Sequence, residues 1–137
     1  MDYKKQKKAA KEFADQWKGK GYEKGEAQVF WTELLRNVFD VKYASSLINF
    51  EEHTSGGGFI DGFIRDPGII IEQKGSNIDL DKPETRQGTE VTPFEQALRY
   101  AESFKQSQQP RFIITCNFGK ILLCRMWVAH PPPRALP

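Results

Sequence analysis

The residues of this 137-residue chain best suited to chemistry lie close together. Asp61 interrupts the apolar run Phe59-Ile60-Asp61-Gly62-Phe63-Ile64, Asp66-Pro67-Gly68 turns the chain, and Ile69-Ile70-Ile71 leads into Glu72-Gln73-Lys74. Two carboxylates and an ammonium group at the end of an apolar hairpin are costly to bury unless they are paired or bind something. A divalent cation and a phosphodiester would satisfy them. Two hard oxygen ligands with open positions suit magnesium, which takes few carboxylates and completes its shell with water and substrate phosphate. Such an ion polarises a phosphoryl group and activates water, while Lys74 can orient that water and offset charge building on the phosphate.

Hairpin register decides whether these groups meet. With Pro67 and Gly68 as the central residues of a type II turn, Asp66 pairs with Ile69. Asp61 then lies opposite Lys74, and Phe63 opposite Glu72. Asp61, Glu72 and Lys74 share one face, with Asp61 diagonal to Glu72 at roughly 7–8 Å between backbones. A one-residue slip would send Asp61 to the other face. The competing reading is a plain ion pair of Asp61 with Lys74 across a surface hairpin, since a lone Glu-x-Lys is a weak motif.

The positioning elements follow from periodicity. An amphipathic helix is expected from about Tyr3 to Lys18, with Ala10, Phe13, Ala14 and Trp17 on one stripe. A second runs from about Glu26 to Phe39 and buries Ala27, Phe30, Trp31, Leu34, Leu35 and Val38. Strands are expected at Leu47–His53, Phe59–Arg65 and Ile69–Lys74, and residues 75–91 read as a long loop. Thr92-Pro93-Phe94-Glu95 starts a helix, with an N-cap threonine, proline at the first position and glutamate at the third. Its buried stripe is Phe94, Ala97, Leu98, Ala101 and Phe104. Strands at Arg111–Cys116 and Lys120–Trp127 close an α-α-β-β-β-α-β-β order. The expected fold is α/β, a central mixed β-sheet flanked by helices. Residues 1–130 are expected to form one domain, with a basic helix at 1–20, a core at 26–127 and a Pro-rich tail or linker at 131–137.

Composition excludes several classes. Hydrophobic residues make up 39% of the chain, enough for a packed core, so disorder is excluded. No apolar run approaches the ~20 residues of a membrane span, and the lysine-rich start lacks the apolar segment of a secretory signal. Localisation is expected to be cytoplasmic, in a prokaryote. Net charge is +2, yet residues 1–24 hold eight lysines against four acids, while the remainder has 12 bases and 14 acids. The basic excess therefore sits on the first helix, as a solvated face or as a phosphate contact. A two-residue turn at Phe118-Gly119 pairs Cys116 with Ile121 and Cys124 with Ile113. That puts the thiols on opposite faces and argues against a disulfide.

On the helix after Thr92, Gln96 and Tyr100 stand at i and i+4 on one face; a polar helix edge with a core tyrosine would look the same. The ordered set Gly58-x-x-Asp61, Glu72-x-Lys74 and Gln96-x-x-x-Tyr100 resembles the signature of RecB-like nucleases of the PD-(D/E)XK superfamily. The helix, three strands, helix, strand order is also similar. A closer resemblance runs from about Phe13 to Trp127. It rests on Gly21-Tyr22-Glu23-Lys24-Gly25-Glu26-Ala27-Gln28-Val29-Phe30-Trp31, Leu34-Leu35, Phe50-Glu51, Ile71-Glu72-Gln73-Lys74, Asp79-Leu80-Asp81-Lys82-Pro83, Thr92-Pro93-Phe94-Glu95-Gln96-Ala97 and Thr115-Cys116-Asn117-Phe118. These resemble the N-terminal endonuclease module of MmeI-like bifunctional restriction–modification enzymes.

The resemblance implies a restriction-endonuclease-like core and a Mg-dependent endodeoxyribonuclease, with Mn able to substitute. It implies that Asp61, Glu72 and the backbone carbonyl of Gln73 bind the metal, that Lys74 is catalytic, and that Gln96 and Tyr100 support the site and the DNA. Glu26 is a further supporting candidate, because the first core helix of such nucleases offers an acid to the metal. Glu33 shares its face, and a first-turn glutamate is also favoured by the helix dipole alone. The implied partners are double-stranded DNA and a covalently linked methyltransferase and recognition domain. S-adenosylmethionine would be needed only in that full-length context. No methyltransferase motif occurs in this chain, so an excised module and a stand-alone one are both expected possibilities. Two other readings remain open: a non-catalytic DNA-binding or interaction module retaining the fold, and a stand-alone repair or junction nuclease.

Overall fold

A computed structural model describes residues 1–54 and 58–126, without the side chains of Glu23 and Lys24. The expected Pro-rich tail, Gly56, Gly57 and the expected end of the last strand at Trp127 lie outside those residues. Helix α1 spans Tyr3–Trp17, and Asp2 caps it by accepting from the Lys5 N–H. Helix α2, Glu23–Glu33, continues into a π-helical turn at Leu34–Val38, where the Phe39 N–H donates to the Leu34 carbonyl. Then come α3 (Ala44–Leu47), β1 (Ile48–His53), β2 (Phe59–Ile64), β3 (Ile69–Gln73), β4 (Glu84–Arg86), β5 (Thr89–Val91), α4 (Pro93–Glu102), β6 (Phe112–Cys116) and β7 (Ile121–Arg125).

Five strands form one sheet in the order β1-β2-β3-β6-β7. Among the described residues only β3 and β6 run parallel, joined by the crossover that carries α4. Helices cover both faces. On one side Phe13, Trp17, Phe30, Trp31 and Leu34 pack on Ile48, Ile64 and Ile71. On the other, Ala97 and Ala101 with Phe94, Leu98 and Phe104 pack on Phe63, Ile70 and Ile113. The mixed α/β sheet flanked by helices is the expected architecture and is compatible with a restriction-endonuclease-like core. A strand covered on both faces must be apolar on both, which is why β3 begins with three isoleucines and does not alternate.

Four details differ from expectation. The β2–β3 register is Gly62↔Ile71, Phe63↔Ile70 and Ile64↔Ile69. It is shifted by two residues because the connection is the four-residue Arg65-Asp66-Pro67-Gly68, with a cis peptide bond before Pro67, and not a two-residue turn. A shift of two preserves the faces, and continuing this register puts Asp61 opposite Glu72 and not opposite Lys74. The expected loop at 75–91 contains the β4–β5 hairpin, closed by Gln87 and Gly88 at φ 48° and 78°. Two positive φ values are the mark of the type I′ turn. On α1 only Phe13 and Trp17 are buried; Ala10 and Ala14 are exposed, because the helix turns Gln6 and Ala9 inward instead. A short helix, α3, precedes β1. The β6–β7 register is the expected one, with Cys116↔Ile121 and Ile113↔Cys124, and both cysteines are free. No helix among the described residues is long and apolar enough to cross a membrane.

Candidate active site

Alternation along β3 decides which way each polar side chain points. Ile70 packs on the α4 side and Ile71 on the α1–α2 side. Glu72 and Lys74 therefore share the α4 side, while Gln73 faces the other helices. The hydrogen bonds agree. The Lys74 ammonium donates to Gln96 Oε1 on α4 at 3.1 Å, and Trp31 Nε1 on α2 donates to Gln73 Oε1 at 2.7 Å. Gln73 Nε2 in turn donates to the Lys74 carbonyl at 3.0 Å, and the Lys74 N–H donates to the Cys116 carbonyl at 2.7 Å. The end of β3 is thus held on both sides.

Asp61 enters from β2. The ladder with β3 ends at Gly62↔Ile71, and the Asp61 carboxylate takes over by accepting from the Gln73 N–H at 2.8 Å. Gly62 fits closely at the next position. A Cβ there would stand 3.3 Å from both the Ile48 and Ile71 side chains, which would have to give by a few tenths of an ångström. Across the sheet Glu51 adopts φ 55°, where plain pairing would have set it against Asp61.

Glu72 and Lys74 are each 2% exposed, and Lys74 Nζ lies 3.5 Å from Glu72 Oε1. Charges this deep need partners. Among the described residues Lys74 has three: Glu72, Gln96, and Glu84 Oε2 on β4 at 3.1 Å. Glu72 is less well served. Its Oε2 is buried with no hydrogen-bond partner among the described residues. Burial first, and the nearby Asp61 charge second, push its carboxyl up to about 8 against the pull of Lys74 and Arg86. A carboxyl held protonated near neutrality with one orphan oxygen is what a cation would relieve.

The structure therefore brings together Asp61, Glu72, Gln73, Lys74, Gln96 and Tyr100, the last through a 3.3 Å hydrogen bond from Gln96 Nε2 to its hydroxyl. Glu26 is placed differently. Its carboxylate accepts from the Tyr22 N–H at the start of α2, as a helix-capping glutamate does. Among the described residues no three His, Cys, Asp or Glu side chains form a ready metal cage. Two carboxylates plus a backbone carbonyl, water and phosphate is the set magnesium takes, so the residues present fit that ion better than zinc.

Glu84 and Arg86 were missed by sequence reading, because the segment that carries them reads as loop. The one available signal was Gln87-Gly88, whose glycine suits a tight hairpin turn between the triplets Glu84–Arg86 and Thr89–Val91. Trp31 was legible only as a core residue, since its bond to Gln73 spans 42 positions.

A family model described as the N-terminal domain of MmeI matches residues 8–133. No curated protein and no solved structure gives a significant match. Since the family model covers nearly the whole chain, the chain belongs to the family of MmeI N-terminal domains.

Proposed function

We propose that this chain is the DNA-cleaving module of a restriction–modification enzyme, a metal-dependent endonuclease with a PD-(D/E)XK-type site. The observation that carries the reading is the convergence of Asp61, Glu72 and Lys74 at one end of β3, with a Glu72 oxygen buried and unpartnered. The family membership supports the restriction-enzyme context.

Asp61, Glu72 and the Gln73 carbonyl would hold magnesium, or manganese in its place. When bound, the ion supplies Lewis-acid polarisation of the scissile phosphate. The chain's own residues do the rest. Lys74 orients the attacking water and offsets negative charge on the phosphate. Gln96 holds the Lys74 ammonium and is itself held by Tyr100. Trp31 locks Gln73, and with it the backbone that follows Glu72. Glu26 acts at the start of α2, in keeping with its bond to Tyr22. In this reading the substrate is duplex DNA. A methyltransferase, a target-recognition part and any S-adenosylmethionine belong to a continuation of the polypeptide.

The test is nicking of supercoiled plasmid by the purified chain with magnesium or manganese. Cleavage that disappears with chelator and in Asp61→Ala and Lys74→Ala is the expected result. Equal cutting in the presence of chelator would refute the reading.

A further inference from the structure

We propose that the groove between the β4–β5 hairpin and helix α4 binds the DNA backbone on either side of the scissile phosphate, with Arg86 and Arg99 as its two grips. The inference deepens the nuclease reading and rests on it. The groove encloses about 1060 Å³. Arg86 lines it from β4 and Arg99 from α4, so the two guanidinium groups belong to separate walls. Both residues are exposed, and neither has an ion-pair partner among the described residues. Arg86 feels Glu72 and Arg99 feels Glu95 at longer range, but a guanidinium without a close carboxylate can bind phosphate oxygens through two parallel hydrogen bonds, a geometry lysine does not offer.

The lining argues for a polymer and against a small molecule. Small-molecule sites are mostly apolar, whereas here, among the described residues, Gly58 and Val91 are the only lining residues without a polar side chain. The groove also opens onto the reactive end of β3. Two of its lining residues, Glu84 and Gln96, each touch Lys74 Nζ at 3.1 Å. A strand lying in the groove therefore sets one phosphate by Lys74 and its neighbours by the arginines. Glu84 is the one acidic side chain among the described lining residues. It competes with that phosphate for Lys74, so removing its charge acts opposite to removing an arginine.

The experiment measures binding of a short fluorescent non-cognate duplex to the full 137-residue chain by anisotropy, in chelator, across a salt series. Arg86→Gln and Arg99→Gln are each expected to weaken binding roughly tenfold, as for loss of one charge-assisted contact. Each should lower the steepness of log affinity against log salt by about 0.9. Glu84→Gln is expected to strengthen binding. Lys4→Gln/Lys8→Gln on α1, a double variant far from the groove in sequence, is expected to leave most of the affinity in place. Wild-type affinity and salt slope in both arginine variants overturns the proposal. So does an undetectable wild-type affinity, a loss seen only with single-stranded DNA, or a loss confined to the α1 variant. If an arginine variant melts early, the other and Glu84→Gln carry the test. Because no metal is present, failure of cleavage leaves the binding result standing, so the two readings fail separately.

Discussion

Glu72 is where the cost of the site is concentrated. Its carboxyl titrates near 8 in the fold and near the ordinary 4.5 in the unfolded chain, chiefly through burial. A raised carboxyl contributes stability that is fully present below pH ~4.5 and is lost as pH rises to about 8. In chelator the protein should therefore become less stable across that window, and Glu72→Gln should remove much of the slope. Urea unfolding at pH 5 and pH 8 checks this; a wild-type-minus-variant difference equal at both pH values would refute it. Lys74 is the opposite case, a buried cation already met by three partners. Lys74→Ala removes the shared partner of Glu72 and Glu84 and should destabilise the fold, by less than the ~3–5 kcal/mol of a fully charged buried pair, because the Glu72 carboxyl can stay protonated and Glu84 is partly exposed. Lys74→Met, which keeps the stem, should cost less while abolishing any cleavage, and comparing their unfolding midpoints with plasmid nicking separates folding from chemistry.

Helix α4 serves the site through one face and the core through the other. Its start is fixed by a reciprocal cap in which the Glu95 N–H donates to Thr92 Oγ1 and the Thr92 N–H donates to Glu95 Oε1. The Thr92 N–H first, and the Thr92 hydroxyl second, hold the Glu95 carboxyl below its ordinary value. Gln96 follows directly, so the cap sets where the Lys74 partner sits. Thr92→Ala should cost about 1 kcal/mol. Faster amide exchange in the first turn of α4 than elsewhere in the helix would show the loss; uniform protection would contradict it. The β4–β5 hairpin brings Glu84 and Arg86 to the site on three-residue strands. Gly88 stands at φ 78°, where a side chain is strained even though a Cβ there meets nothing.

At the scale of the molecule, one sheet separates two cores, and the site lies where β3 emerges between them. The α1–α2 core is aromatic. Phe30 is 1% exposed and has ring contacts with Phe13, Trp17, Trp31 and Phe118 at centroid distances of 5.0 to 5.5 Å. Phe30→Ala should cost about 3–5 kcal/mol. Because Trp31 neighbours that cavity, the change should also loosen Gln73. Metal binding to the native state alone should raise stability by about 2.7 kcal/mol at a hundredfold excess over Kd. A melting shift with magnesium or manganese that vanishes in Asp61→Ala is the expected outcome. An equal shift in that variant would move the ion elsewhere.

What was legible in the sequence was local. Three isoleucines ahead of Glu72, the Thr92–Glu95 cap and the apolar spacing of α2 placed the central strand and both helix layers, because each is a property of neighbours along the chain. The candidate site residues Asp61, Glu72, Lys74, Gln96 and Tyr100 were legible for the same reason. The sequence by itself thus determined the fold class and the residues that compete for a role. Tertiary structure alone decided the rest. The four-residue β2–β3 connection set the register that ends at Gly62↔Ile71 and brings the Asp61 carboxylate to the Gln73 N–H. Long-range packing brought Trp31 to Gln73 and Glu84 to Lys74, and burial moved the Glu72 carboxyl. Register, distant pairing and desolvation depend on what lies across space, and one-dimensional spacing does not encode them.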